Sequence, residues 1–226
     1  MNARPKSRLL LIRVVFVLVA AASLLLVPLY RQYYLDRALI TAIHYNNAVR
    51  VDALLDEGAN SNTRLARGKP LRMLILDMRN PKPDLSYTVL MWTIMMPSQL
   101  NTSITAHRAS VHIVKSLLAR HADVNATAEQ GETALMIAVT HGRSDCVKAL
   151  VEGGAGVNAK DANQQTSLMH AASIGDDDCV KLLITSGAEL NAKDLGGHTA
   201  LCFARYSNRR NHANVVAILK AAGAKE

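Results

Sequence analysis

Aromatic residues are scarce in this chain of 226 residues, which holds 2 Phe, 1 Trp and 6 Tyr. The formal net charge is +8, from 26 Lys and Arg against 18 Asp and Glu. The basic excess lies mainly in residues 1–37 and 64–82, and no aromatic residue is interleaved with the second cluster. Because single-stranded nucleic acid stacks on aromatic side chains set among basic ones, we expect no nucleic acid partner. The basic cluster at 64–82 is either a solvated loop or a contact with anionic head groups.

The chain also lacks a pattern typical of catalysis or metal binding. None of its 8 histidines pairs with a cysteine or carboxylate at a metal-ligand spacing. His198 and Cys202 share a helical face, but no oxyanion site accompanies them. The glycine pair at 196–197 is not followed by a phosphate-binding loop. We therefore expect no enzymatic activity, no cofactor, no metal and no small-molecule substrate.

What the chain has instead is an internal repeat with a period of 33 residues. The heptapeptide at residues 130–136 recurs at 163–169 and again at 196–202. A fixed period of this length is typical of a stack of small identical units, each of which buries its apolar side against the next.

Each repeat reads as a helix, a turn, a second helix and a polar hairpin. Apolar residues recur at three- and four-residue steps within 135–139 and within 147–151, which is helical periodicity. Gly142 and Gly154 follow the two helices, at positions where a left-handed conformation favours glycine. The three aspartates at 176–178 fit the start of a second helix better than a cation site, since carboxylates suit the free N–H groups there.

These units resemble ankyrin repeats. The family pattern runs Gly-x-Thr-Pro-Leu-His, then Val-Lys-Leu-Leu, then Gly-Ala-Asp-Val-Asn-Ala, and residues 133–135, 147–148 and 154–159 match it. The proline is replaced by alanine or serine. The histidine position is occupied by Met91, Met136, Met169 and Cys202. We expect this second departure to exchange a buried polar contact for apolar packing. The resemblance implies an all-α ankyrin-repeat solenoid.

The pattern extends upstream in weaker form. Residues 88–126 and 38–62 read as two further units, so we predict about five units over residues 37–226. His121 occupies a position where the other units have glycine, and a left-handed backbone there would be strained.

Two long insertions interrupt the period. The first, residues 63–85, adds about 18 residues and contains the apolar run 71–78, which is either a short extra helix or a degenerate unit. The second, residues 97–108, adds about 12 polar residues and is predicted to be a loop between paired helices.

The cysteines and one histidine are predicted to face the core. Cys146 and Cys179 lie one repeat apart, on helices that pack about 8 to 10 Å apart, whereas a disulfide needs Cα atoms within about 7 Å. We expect no disulfide, and interpret both residues as small buried side chains. Cys202 and His170 are assigned to the inner side of first helices.

The N-terminus is predicted to hold a transmembrane helix at Leu9–Tyr30, with residues 1–8 as a basic flank and 31–36 as a linker. The segment contains one charge, Arg13, and its 22 residues would extend about 33 Å as a helix, enough to span a bilayer core. Basic residues precede it without any acid, so the N-terminus is expected in the cytoplasm and the repeats on the periplasmic or extracytoplasmic side. The alternatives are a signal peptide cleaved near residues 20–22 and a buried helix of the stack.

A solenoid offers a long concave face and a row of hairpin tips. The resemblance implies that partners bind at the tips and at the ends of the first helices. The candidate partner-binding residues are Tyr45, Met95, Met96, Glu129, Gln130, Glu132, Thr140, His141, Asn163, Gln165, Ser173, Ile174, Leu195, His198 and Tyr206. Six of these are apolar or aromatic, as is common at binding hot spots, although the insertions could instead cover Met95 and Met96.

We therefore expect a membrane-tethered scaffold, without catalytic activity, that binds a protein partner whose identity the sequence does not give. The alternative is a regulatory or immunity subunit that inhibits an enzyme or toxin through the same face. An enzyme built from the two insertions is disfavoured, because they hold only Asp77, Asp84 and His107 as candidate acid–base groups.

Overall fold

The computed structural model describes residues 27–65, 87–95, 104–206 and 212–225. These residues form ten helices, arranged as five pairs, and one short antiparallel hairpin. The first helices of the pairs are α1 (residues 27–44), α3 (Val89–Met95), α5 (Ala134–Thr140), α7 (Ser167–Ile174) and α9 (Ala200–Tyr206). The second helices are α2 (Ala48–Asp56), α4 (Ile104–Ala119), α6 (Ser144–Glu152), α8 (Asp177–Thr185) and α10 (His212–Ala221). The hairpin strands are β1 (Arg64–Leu65) and β2 (Tyr87–Thr88).

The pairs stack in chain order. Among the first helices, α3 packs on α5, α5 on α7 and α7 on α9, and the second helices α2, α4, α6, α8 and α10 form a parallel row in the same order. At the N-terminal end, Gln32 and Arg31 of α1 donate to the carbonyl oxygens of Gly58 and Glu57 just after α2. One continuous apolar core runs through all five pairs. The prediction of a helical solenoid with five units is confirmed.

Threonine and methionine together cap two of the first helices. The N–H of Met136 donates to Thr133 Oγ1 at 3.3 Å, and the N–H of Thr133 donates back to Met136 Sδ at 3.5 Å. Thr166 and Met169 repeat this arrangement. The expected apolar packing is confirmed, since Met136 and Met169 are each 1% exposed. The expected loss of the polar contact is wrong, because the thioether sulfur is a weak acceptor and accepts from one backbone N–H group.

The turns after the second helices use a left-handed residue, as expected. Gly154 has φ +87°, and His121, at the equivalent place after α4, has φ +60°. A side chain in this region is disfavoured, so the strain predicted at His121 is present.

An asparagine in each of several repeats joins it to the next one. Asn125 Oδ1 accepts from Gly156 N–H at 2.7 Å, and Asn158 Oδ1 accepts from Glu189 N–H at 2.8 Å. Asn62 makes the same bond to Asp123. These bonds connect consecutive units at the bases of the hairpins, where the chain leaves each second helix.

The first insertion leaves the stack at a hairpin. Arg64 pairs with Thr88 across β1 and β2, and the equivalent bridge in the third repeat joins Thr127 to Thr133. The extra chain therefore lies between the two sides of one hairpin. Residues 66–86, including the apolar run 71–78, lie outside the described residues.

The second insertion is partly helical. The prediction of a loop over residues 97–108 is wrong for residues 104–108, which form the first turn and more of α4. This segment holds neither glycine nor proline, so nothing in it interrupts the helix. Residues 97–103 lie outside the described part of the chain.

Two of the three cysteines are buried, as predicted. Cys146 and Cys179 are free thiols with 2% and 0% exposure. Burial raises the pKa of the Cys146 thiol to about 11. Burial, together with the nearby Asp176 carboxylate, raises the pKa of Cys179 to about 12. Cys202 is only partly buried, because it lies on α9, near the end of the stack. The assignment of Cys202 to the inner side is therefore only partly correct.

The predicted transmembrane segment Leu9–Tyr30 lies outside the described residues except for 27–30, which begin α1. Within the described ranges, no helix combines the length and apolar character needed to cross a bilayer.

Candidate protein-binding surface

The short hairpins between repeats place one set of candidate residues in a row, here called the tip row. Its members are Glu129, Gln130, Glu132, Asn163, Gln165, Leu195 and His198. Isolated bridges close two of these hairpins, between Thr127 and Thr133 and between Lys160 and Thr166. Each tip is therefore held close to the N-terminus of the first helix that follows it.

Backbone hydrogen bonds join one tip to the next. The N–H of Ala162 donates to the carbonyl oxygen of Gln130 at 2.9 Å, and that of Leu195 donates to Asn163 at 3.0 Å. The tips of the last three repeats thus form one connected edge, whose side chains are held at fixed spacing.

Two aspartates hold the backbone of the tips by accepting hydrogen bonds from its N–H groups. Asp161 is 6% exposed, and its Oδ1 accepts from the N–H groups of Asn163 and Gln165 at 2.8 and 2.9 Å. Asp194, one period later, accepts from the N–H groups of Gly196 and His198 at 2.9 and 2.7 Å. Burial acts to raise the pKa of Asp194, but these N–H groups and the Gln165 side chain outweigh it, so the pKa lies below its ordinary value. Sequence reasoning missed both residues, although their spacing of one period was a signal.

His170 is bonded to one of these aspartates. Its Nε2 lies 3.2 Å from Asp161 Oδ2, and the imidazole side chain is 22% exposed. The assignment of His170 to the inner side as a packed residue is therefore incomplete. The ring is half-buried because the carboxylate holds it over the base of the tip.

Most of the tip row is open to solvent. Glu129, Gln130, Asn163, Leu195 and His198 are exposed, and Leu195 is 74% exposed. Glu132 and Gln165 are partly buried. An exposed leucine at the C-terminal end of a polar edge is a natural contact for a partner.

The C-terminal ends of the first helices form a second row, here called the helix-end row. Thr140, His141 and Tyr206 are exposed, with Tyr206 at 85%. Met95, Ser173 and Ile174 are partly buried, and Met95 and Ile174 pack against the core. Met96 lies outside the described residues. The exposed apolar surface that we expected along this row is therefore concentrated at Tyr206.

The two rows run side by side. The first helices α5, α7 and α9 have 7, 8 and 7 residues, so their two ends are about 10 to 12 Å apart. A partner of ordinary size could touch both rows at once.

Tyr45 is separate from this surface. It is 64% exposed and lines a groove formed by α1 and the start of α2. Its neighbours there are other tyrosines and arginines of the first pair.

In the described parts of the chain, no group of three His, Cys, Asp or Glu side chains is placed to hold a metal ion. The pairs His170–Asp161 and His198–Asp194 each orient a tip. The arrangement is suited to contact with another macromolecule.

Three copies of the ankyrin-repeat family model match this chain, at residues 70–161, 103–194 and 154–225. Together they cover more than half of the sequence. The chain belongs to the ankyrin-repeat family. The matches together span the stacked pairs from α3 to α10. Comparison with curated proteins finds no match to this sequence. Ankyrin repeats are in general protein-interaction scaffolds, and the family therefore supports a protein partner.

Proposed function

We propose that this ankyrin-repeat chain is a membrane-tethered scaffold that binds one protein partner through the tip row and the helix-end row, without catalysis of its own. The observation that carries the proposal is the connected edge of tips, which ends at the exposed Leu195. Tyr206 is exposed at the C-terminal end of α9, in the same repeat. A rigid edge with large exposed side chains loses little conformational entropy on binding.

The partner contact centres on the last repeat. Leu195 and Tyr206 are the most exposed large hydrophobic side chains in the described part of the two rows, at 74% and 85%. A few such side chains usually carry most of the binding energy of an interface, each contributing about 2 kcal/mol or more.

The test is capture of binding proteins by the full chain from a detergent extract, with each captured protein quantified by mass spectrometry. The variant Leu195→Asp/Tyr206→Ser is expected to lower capture of the partner by at least about 30-fold, which corresponds to the loss of one hot spot. Val49→Asp is the matched control, because Val49 is 81% exposed but lies on α2, outside both rows. Equal capture by all three proteins would refute the proposed surface.

The membrane tether rests on the sequence. The apolar run Leu9–Tyr30 is long enough to cross a bilayer, and the tyrosines that follow it, Tyr33 and Tyr34, are of the type that sits at membrane interfaces. We propose that the N-terminus is cytoplasmic and the repeats are extracytoplasmic. Resistance of the full chain to alkaline extraction would support the tether, and its release as a soluble protein would refute it.

The orientation has its own test. A reporter that is active only outside the cytoplasm, fused after Glu226, is expected to give a signal. Activity of a cytoplasmic reporter at the same position would reverse the orientation.

Identification of the captured partner also separates a scaffold from an inhibitor. If the partner is an enzyme or toxin whose activity falls when the chain binds, the chain is a regulatory subunit. If its activity is unchanged, the scaffold role stands.

A further inference from the structure

The first helical pair carries a groove of about 690 Å³ that the protein-binding surface does not use. Every described residue that lines it belongs to α1, to the turn after α1 or to the start of α2. Its larger side chains are Tyr30, Tyr33, Tyr34, Arg37, Tyr45 and Arg50. The groove therefore belongs to the end of the stack, where no further repeat packs in the described part of the chain.

This groove exposes aromatic side chains to an unusual degree for a soluble surface. Tyr30, Tyr34 and Tyr45 are 71%, 66% and 64% exposed, and Tyr33 is 43% exposed. The groove holds four of the eight Phe, Trp and Tyr residues in the described part of the chain, and each of its tyrosines combines an apolar ring with a polar hydroxyl. Such side chains are suited to a boundary that is apolar on one side and wet on the other.

The charge of the groove has one sign. Arg37 and Arg50 line it, and no acidic residue is among its described lining. The Arg37 guanidinium donates to the Tyr33 hydroxyl at 2.9 Å and lies 5.6 Å from the centroid of the same ring. The Arg50 side chain is 53% exposed and forms an ion pair with Glu57, at 3.7 Å. Arg37 thus lies beside an aromatic ring, and Arg50 adds a second, exposed cation to the same groove.

The place of the groove in the chain indicates its occupant. Its first lining residue, Tyr30, is also the last residue of the apolar run Leu9–Tyr30. We propose that this groove docks onto the anionic head-group layer of the membrane that holds the N-terminal segment. This inference rests on the membrane tether of the proposed function. A second copy of the chain is a poorer occupant, because a symmetric contact through this groove would bring the arginines of both copies together.

Docking requires α1 to lie along the membrane surface. Tyr30 and Tyr45 are separated by fifteen residues of helix and turn, or about 22 Å. If α1 stood upright, Tyr45 would lie far above the head groups. Pro28 is near the start of α1, and since proline has no N–H group, a change of direction there loses no backbone hydrogen bond from that residue.

The position of Tyr45 therefore decides between the two orientations of α1. The full chain carrying Tyr45→Trp would be reconstituted in nanodiscs of phosphatidylcholine with and without phosphatidylglycerol, with a nitroxide quencher on the head groups. The introduced indole is expected to be quenched in the anionic discs. The native Trp92 is 5% exposed and serves as an unquenched internal reference.

Charge variants sharpen the test. Arg37→Gln/Arg50→Gln is expected to lower the ratio of docked to undocked chain by about 25-fold, since each arginine near an anionic surface contributes about fivefold. Lys148→Gln/Lys181→Gln is the matched control, because these exposed lysines lie on α6 and α8, away from the groove. In the unsubstituted chain, photoactivatable phosphatidylglycerol is expected to cross-link to residues 30–50.

The outcomes are distinguishable from failure of the tether. If the chain is extracted from the bilayer by alkali, the tether is wrong and this inference falls with it. If the chain stays inserted but the indole is not quenched and copies cross-link to each other instead, the docking alone is overturned. Equal quenching with and without phosphatidylglycerol would overturn the role of the two arginines.

Discussion

The last three repeats differ from the first two in how their hairpins are built. In the last three, the hairpins are short, and backbone bonds from Ala162 to Gln130 and from Leu195 to Asn163 connect the tips. Between the first two repeats, an insertion separates the hairpin strands β1 and β2. The second helix of the second repeat, α4, is also longer, with 16 residues against 9 in α6. The tips and the turns between paired helices therefore vary without breaking the stack.

What the two regions share explains why the stack survives. Met91 N–H donates to Thr88 Oγ1 at 3.3 Å, as in the regular repeats. Asn62 joins the first repeat to the second as Asn125 joins the second to the third. The helix caps and the asparagine bonds at the bases of the hairpins are thus common to both regions, whereas the hairpin tips differ.

The largest expected effect comes from the centre of the stack. Leu168 in α7 and Leu39 in α1 are both buried, with 1% and 0% exposure. They differ in that α7 packs between α5 and α9, whereas α1 belongs to the first pair of the stack. Leu168→Ala is expected to lower the free energy of unfolding by about 3 to 5 kcal/mol and Leu39→Ala by about 2 to 3, because an end repeat depends on one neighbour only. Denaturant unfolding of the detergent-solubilised chain measures both. A greater loss from Leu39→Ala would contradict the comparison.

The cap of α7 is expected to contribute less. Thr166→Val removes the side-chain acceptor for Met169 N–H, and the expected loss is about 1 kcal/mol. Met169→Leu nearly keeps the volume but removes the sulfur acceptor for Thr166 N–H, so a smaller loss is expected. The same unfolding measurement checks both variants. If Met169→Leu raised stability, packing alone would explain the methionine.

Substitution at the left-handed position after the second helix should change the free energy of unfolding in opposite directions at His121 and at Gly154. His121→Gly is expected to stabilise the chain by about 1 kcal/mol, and Gly154→Ala to destabilise it by a similar amount. Both residues have positive φ. An added Cβ at Gly154 meets no atom within 4 Å, so the effect of Gly154→Ala reports backbone strain without a steric clash. Thermal unfolding of the two variants gives the comparison, and changes of the same sign would count against it.

The smallest expected effect is on thiol chemistry. Since burial raises the pKa of Cys146 and Cys179 to about 11 and about 12, both thiols should stay unmodified by a thiol reagent at pH 8 while the chain is folded. Because the pKa of each thiol is higher in the folded chain than its ordinary value of 9.0, the two cysteines contribute fully to the free energy of unfolding below pH 9.0. That contribution is lost as the pH rises through the pKa values of the folded chain. Mass spectrometry after labelling, with a urea-unfolded control, measures the reactivity. Labelling of Cys146 as fast as in urea would show that the third pair is open.

Much of the fold was predictable, because the 33-residue period places equivalent residues in equivalent environments. The left-handed glycines and the buried Cys146 and Cys179 follow from the repeat. The helical start of α4 was not predictable from the period, since it lies in an insertion that has no counterpart in the other units. The capping role of Met136 and Met169 was missed because a thioether is rarely counted as an acceptor.

The candidate surface was predictable only in part. Sequence position places residues at tips and helix ends, but it does not give their exposure, so it grouped the core-packed Ile174 and the open Tyr206 together. It also grouped Tyr45 with the helix ends, although Tyr45 lines the groove of the first pair. The hydrogen bonds of Asp161 and Asp194 depend on turn geometry that periodicity does not specify.

Hydrogen exchange of the full chain in nanodiscs, with and without its captured partner, tests the division between the two regions most directly. The account predicts that the partner slows exchange in the tip segments 128–133, 161–166 and 194–199 and leaves α1 unchanged. Slower exchange in α1 with no change at the tips would contradict it.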